Sequence, residues 1–196
     1  SMEIFDPQTN QWSYGASLPK AIDRACALSI NGRIILTGGN DGSSDLTDVY
    51  EFDPERGTWE DLPSINHARS GHRMVFYDGR AWVLGGDSAV CESYDPDSNS
   101  WEAEASLNTV RSWPVAWTNG EYIFVAGGNS LETNSIEVLR EGSSEWQNSP
   151  NLLPEAKYAA DSIVSNGMLF LIAGKSGGNF TNNVHTTDVT PPMDLY

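Results

Sequence analysis

The chain has 196 residues, a formal net charge of −16, 19% charged residues and two cysteines. That length supports one domain with a sizeable core. The acidity argues against a nucleic-acid backbone or an anionic membrane surface as partner, since both require dense basic patches. No apolar run is long enough to span a bilayer as a helix, and no low-complexity tract marks disorder. Cys26 and Cys91 both lie in apolar, strand-like stretches, so buried thiols are expected rather than a disulfide framework or a Cys-rich zinc site.

Ser1 and Met2 read as an expression remnant ahead of the strand-like Glu3-Ile4-Phe5, so a leader or further domains could have been cut away. A cytoplasmic location is the expectation. The chain opens on two short strands, 3–7 and 11–14, with no partner strands before them. A first full unit follows at 24–62, with strands expected at 25–30, 33–37, 48–52 and 58–61; these four positions are called a, b, c and d. Further units are read at 69–105, 111–149 and 157–189, all within a single domain. The last unit ends on a strand c candidate at 183–189 and lacks a Trp-bearing strand d.

The units repeat in register. Trp12, Trp59, Trp101 and Trp146 are spaced by 47, 42 and 45 residues. Glycines close strand b at Gly38-Gly39, Gly85-Gly86 and Gly127-Gly128, with Gly174-Lys175 in the fourth unit. An aromatic residue precedes Asp-Pro at Phe5-Asp6-Pro7, Phe52-Asp53-Pro54 and Tyr94-Asp95-Pro96, and Leu139 takes that place in the third full unit. Between a and b stand Asn31-Gly32, Asp78-Gly79, Asn119-Gly120 and Asn166-Gly167, dipeptides suited to a type I′ turn with φ > 0 at both central residues. Strand b is almost continuously apolar, as in Tyr122-Ile123-Phe124-Val125, and must therefore be covered on both faces. The double glycine then marks a close approach of neighbouring backbone or an aromatic ring.

Over residues 3–189 these units resemble Kelch repeats. The resemblance implies an all-β, Kelch-type β-propeller of about four four-stranded antiparallel blades. Three closures stay open: the N-terminal strand completing the last blade, a larger ring of which four blades are part, and an assembly of two chains. The resemblance also implies a protein-binding module similar to the substrate-recognition part of BTB-Kelch ubiquitin-ligase adaptors. The alternative is a Kelch-propeller enzyme, sugar-processing or an oxidase.

Length variation falls almost wholly in the b–c loops, 40–47, 87–90 and 129–135. Antiparallel topology puts those loops and the d–a links on one face, and loops carry function where strands carry packing. On that face the links supply Arg24, Arg69 with Ser70, Arg111 with Ser112 and Trp113, and Lys157 with Tyr158; the b–c loops supply Asn40, Asp87 and Asn129. Because strand a is innermost in such blades, Arg24, Arg69, Arg111 and Lys157 are expected to ring the channel mouth. There they would hold an acidic peptide by Arg forks, or pair with acids such as Asp23 or Asp161 and orient the loops. Trp113 and Tyr158 are candidate anchors.

Catalytic and cofactor signals are weak. His67, His72 and His185 have no ligand spacing for a metal and read as loop histidines. Gly174-Lys175-Ser176 lacks the first glycine and the helix of a P-loop, and the 40–45 loop lacks the closing Glu of a calcium loop. Asn179-Phe180-Thr181 is a glycosylation sequon only in a secreted chain. No catalytic residue, metal or cofactor is assigned.

Overall fold

The computed structural model describes residues 2–128 and 133–188. Every element there is a strand, grouped into successive blades of a β-propeller. Strands β1 (Glu3–Asp6) and β2 (Gln11–Tyr14) form an opening pair. Blade 1 is β3 (Cys26–Ile30), β4 (Arg33–Thr37), β5 (Val49–Asp53) and β6 (Thr58–Leu62). Blade 2 is β7 (His72–Tyr77), β8 (Arg80–Gly85), β9 (Cys91–Asp95) and β10 (Ser100–Glu104). Blade 3 is β11 (Val115–Thr118), β12 (Tyr122–Ala126), β13 (Ser135–Arg140) and β14 (Gln147–Leu152). In the fourth sheet β15 (Asp161–Ser165) and β16 (Met168–Ile172) pair with β19 (Val184–Asp188); β17 (Lys175–Ser176) and β18 (Asn179–Phe180) form a separate small hairpin.

Each sheet is an antiparallel meander, and the strand a members pack side by side around the axis: β3 on β7, β7 on β11, β11 on β15. Strand b is sandwiched between neighbouring blades, which is why Ile123, Phe124, Val125 and Ala126 are all fully buried. Three apolar clusters fill the three gaps between blades. The glycine that closes strand b sits where no side chain fits: a Cβ on Gly85 would stand 2.9 Å from the Arg111 carbonyl of the next blade. Cys91 is buried, and burial pushes its thiol up to about 12. Cys26 is partly covered and is also raised by burial.

Three expectations are corrected. The N-terminal strand does not complete the last sheet. β2 already has β1 as its partner, with Phe5 and Trp12 ring centroids 5.1 Å apart as in the Phe52–Trp59 pair, so the two strands are the outer half of a blade. That half-blade flanks blade 1, where the Trp59 indole donates to the Ala16 carbonyl at 3.1 Å. The fourth glycine pair is Ala173-Gly174, not Gly174-Lys175. Ala173 takes the positive φ of Gly38, Gly85 and Gly127, and the Lys157 ammonium donates to its carbonyl as Arg69 does to that of Gly85. Finally, Asn31, Asp78 and Asn166 have the left-handed φ of a type I′ turn, but the third hairpin is longer. Thr118 pairs with Ile123, and the Asn119 side-chain carbonyl accepts from Glu121 and Tyr122.

Candidate partner-binding end of the propeller

The d–a links and b–c loops meet at one end, as the antiparallel order requires. Isolated bridges join them: Asp23 to Asn40, Leu46 to Arg69, Ser88 to Arg111 and Tyr158 to Lys175. The 40–45 loop is held by its own side chains. Asn40 donates to Asp45 and accepts from Gly42, and Asp41 accepts from Ser43 and Ser44, the backbone donors that hold its carboxyl below the usual range. This is a self-capped turn.

The expected ring of four cations resolves into two different arrangements. Arg69, Arg111 and Lys157 are 0, 0 and 2% exposed, and do not face the channel mouth. The Arg69 guanidinium donates to the carbonyls of Gly85 and Val90 and to Glu92 at 2.8 Å. Arg111 donates to the carbonyl of Gly127 and to Glu137 at 3.0 Å. Lys157 donates to Ala173 and pairs with Glu155 at 3.3 Å. Each cation thus staples the link before strand a to the b–c corner of its own blade. Burial opposes the Glu92 charge, but the backbone and side-chain N–H groups of Asn66, with Arg69, more than offset it and hold the carboxyl below its ordinary value. The acids are therefore Glu92, Glu137 and Glu155 rather than Asp23 or Asp161. Three buried cations with every fork filled cannot grip a partner, and the expectation for them is corrected accordingly. Ser112, 2% exposed, is also removed from the surface.

Arg24 is not the counterpart of these three. By the bonding pattern the equivalent of Arg69 in blade 1 is Ile22, and strand c carries Tyr50 where blades 2 and 3 carry Glu92 and Glu137. Arg24 lies two residues further on, in register with Gly71, Trp113 and Ala159. All four have φ between 51° and 62°. Their backbones join the blades: Gly71 donates to the Arg24 carbonyl, Trp113 to that of Gly71 and Ala159 to that of Trp113, at 2.8–3.0 Å. Three non-glycine residues in the left-handed region therefore sit at the mouth, each costing roughly 1–2 kcal/mol. The Trp113 ring lies over Gly71, where a Cβ would come within 2.7 Å of it.

What remains on this end is a mixed polar and aromatic rim. The Arg24 side chain is 51% exposed and pairs loosely with Asp23 at 3.5 Å. Trp113, Tyr158, Ser70 and Asn40 are half-buried, and Asp87 is exposed with a positive φ. Asn129 lies outside the described residues. Within 175–180, β17 and β18 form a hairpin that projects the 86% exposed Phe180. The Lys175 ammonium lies 4.5 Å from the Phe180 ring centroid and 5.9 Å from that of Tyr158, and makes no ion pair among the described residues. The Gly177-Gly178 dipeptide between Ser176 and Asn179 is the sequence signal for that hairpin.

The histidines divide as well. His67 caps Glu92 from the surface and His185 pairs with Glu155 at 3.0 Å. His72 is no loop residue: it opens β7, is buried, and its Nε2 bonds the Thr37 hydroxyl at 2.8 Å. Among the described residues no three His, Cys, Asp or Glu side chains gather in a metal-binding arrangement.

Comparison with known proteins agrees with this architecture. The Kelch motif model matches residues 23–66, which span blade 1. Kelch-like protein 21 of Danio rerio is 29% identical over 45% of this chain and 14% of its own length. Kelch-like protein 35 of Homo sapiens is 33% identical over 36% of this chain and 12% of its own. An F-box/kelch-repeat protein of Arabidopsis thaliana, At1g67480, is 37% identical over 43% and 23%. The chain thus matches less than a quarter of the length of these curated relatives. A solved structure described as the structure of YjhT superposes with a TM-score of 0.73 at 16% identity, covering 84% of this chain and 62% of that one, a likeness of fold alone. Repeat register, blade topology and these likenesses agree: the chain is a Kelch-repeat β-propeller that resembles the Kelch-like proteins.

Proposed function

We propose that this propeller binds a partner protein through the end that carries the b–c loops and d–a links, and that it acts as the substrate-recognition part of a ubiquitin-ligase adaptor. The observation that carries the reading is the mouth itself. Arg24 and Trp113 are held there in left-handed backbone conformations that glycine would adopt without penalty, with Lys175, Tyr158 and Phe180 on the same end. Two cations unmatched by buried acids favour an acidic segment, and the aromatic rings supply anchor surfaces of the kind found at interfaces. The similarity to Kelch-like and F-box/kelch-repeat proteins supports a protein-interaction role.

The test is affinity capture with the wild-type chain, the Arg24→Glu/Lys175→Glu double variant, and Asp97→Lys on a c–d turn at the opposite end. Partners should be retained by wild type and Asp97→Lys and lost by the double variant, with the fold intact by circular dichroism. Equal capture by all three would exclude this end as the contact.

A further inference from the structure

Blade 3 departs from blades 1 and 2 at the turn between strands c and d. In blades 1 and 2 the carboxylates of Asp53 and Asp95 cap that turn and pair with the arginine that opens strand b, Arg33 at 2.9 Å and Arg80 at 3.5 Å. Blade 3 puts Arg140 and Tyr122 at those two places, and Arg140 makes no ion pair among the described residues. One residue earlier, Leu139 replaces the rings of Phe52 and Tyr94. In the same blade 2–blade 3 cluster, Trp82 stands on strand b where the other sheets hold Ile35, Phe124 and Phe170. It is 7% exposed, and its indole N–H is buried without an acceptor. No other sheet has a donor there, so the N–H serves no general need of the fold, and a buried orphan donor calls for an explanation.

Trp82, Leu139 and Arg140 line one cleft of about 460 Å³ between blades 2 and 3, at the end of the propeller away from the mouth. That size is usual for a small-molecule site, and both walls belong to complete four-stranded blades. Its aromatic lining is Trp82 set edge-on to Tyr77, with centroids 6.2 Å apart. Of its charged residues, Arg80 is held by Glu102 at 2.6 Å, and Glu104 accepts from the Ser93 hydroxyl at 2.6 Å. The other two are opposite in sign and stand on opposite walls: Asp78 on blade 2 and Arg140 on blade 3. They are not paired with each other. We propose that this cleft binds a free α-amino acid with an apolar side chain, its carboxylate on Arg140, its ammonium on Asp78 and its side chain against Tyr77, Trp82 and Leu139. A lone anion would meet Asp78 and a lone cation Arg140, whereas a zwitterion satisfies both. The carboxylate has more acceptor sites than one guanidinium fills. The Trp82 N–H is closed to solvent, so a carboxylate oxygen seated between the blades is the group that can take it up.

The test is calorimetric titration of the whole chain with L-phenylalanine, joined to heteronuclear NMR of the indole N–H signals. The signal lost in Trp82→Phe is that of Trp82. The variants suit the fold: Phe fills the Trp82 place in blade 3 and the fourth sheet, Asn31 and Asn166 hold the left-handed turn position of Asp78, and Arg140 is exposed. Wild type should bind saturably, with a shift of the Trp82 signal. Asp78→Asn and Arg140→Gln should each weaken binding by about tenfold, and Trp82→Phe by about threefold. Phenylpropionate and phenethylamine, which each carry one of the two charges, should bind about tenfold more weakly than L-phenylalanine. Absence of saturable binding at about ten millimolar L-phenylalanine overturns the inference. So does equal binding of either single-charge compound, or an affinity unchanged in Asp78→Asn and Arg140→Gln. The variants leave Arg24 and Lys175 untouched, so failure here and failure of partner capture at the mouth are separable results.

Discussion

Blades 2 and 3 differ from blade 1 and the fourth sheet in how they hold the same corner. In the middle blades an arginine and a glutamate, both fully buried, tie the d–a link to the start of strand c. Blade 1 puts Ile22 and Tyr50 at those two places, uncharged residues in place of the ion pair. The fourth sheet uses a third solution: Lys157 meets Glu155 from its own link, and His185 stands where strand c of the middle blades carries glutamate. Outer rims differ too. Strand d tryptophans seal blades 1 to 3, whereas beside the fourth sheet a cleft lies open along Leu153, Pro154, His185 and Thr187. The lesson is that the buried ion pair is one way of closing this corner, used in the two middle blades but not in blade 1, although blade 1 is also packed on both sides. Beside the open cleft of the fourth sheet a more solvated network of Lys157, Glu155 and His185 takes its place.

The sharpest way to break that comparison is to remove one charge from a middle blade. Arg111→Ala strands Glu137 in the core and should cost about 3–5 kcal/mol of unfolding free energy. Ile22→Ala at the corresponding place in blade 1 should cost about 1–2 kcal/mol, since that site is only half-buried. Denaturant titrations of both variants measure the difference; equal losses would mean that the two corners are energetically alike.

Acid separates the regions next. Burial is the main cause holding the His72 imidazole down at about 3 from an ordinary 6.5, with Arg69 and Arg73 adding to it. The unfolded chain therefore binds a proton that the folded chain refuses. Stability is complete above pH 6.5 and falls as pH drops towards 3, by on the order of 5 kcal/mol over the window. His72→Gln should flatten the dependence of melting temperature on pH between 6.5 and 3. An unchanged slope would assign the acid sensitivity elsewhere.

Glu155 behaves differently because its network is solvated. Its hydrogen bond with His185 is the largest of the causes that bring the carboxyl down to about 2 from 4.5, with Asn183 and Lys157 contributing. Its support is present above pH 4.5 and lost as pH falls through 2. Since Trp117 lines the neighbouring cleft, its fluorescence should report a local change in that range, and Glu155→Gln should abolish the step. A step that persists in Glu155→Gln would place its origin outside this cluster.

The smallest expected effect is at the mouth. Arg24→Gly relieves about 1–2 kcal/mol of left-handed strain and gives back roughly 0.5–1 kcal/mol through the freer unfolded chain. A net gain of about 0.5–1 kcal/mol in thermal stability should accompany weaker partner capture. A loss of stability would show that the Arg24 side chain supports the fold.

The repeat, the blade count and the variable b–c loops were legible because each is a local pattern: an Asn-Gly turn, a double glycine, a tryptophan seven residues after strand c. The fate of the cations was not. Arg69 and Glu92 lie 23 residues apart, and nothing local distinguishes a buried guanidinium from an exposed one. A signal did exist within the repeats. Where the link holds arginine, glutamate stands two residues before the strand c position of Tyr94 or Leu139; where it holds Ile22, Tyr50 stands there. Arg24 was misaligned with the others because a basic residue in roughly the right place outweighed a two-residue shift. Lys175 was likewise set one place out of register, since Ala173 adopts a conformation expected of glycine.

The chain of backbone bonds through Arg24, Gly71, Trp113 and Ala159 has an evolutionary consequence. Position and direction at each site are fixed by peptide groups, and side chains as unlike as arginine, none, indole and methyl all satisfy the same scaffold. The lettering around the channel is therefore free to be rewritten while the spacing of the letters stays constant. A lineage can change what its mouth reads without renegotiating how its blades are joined.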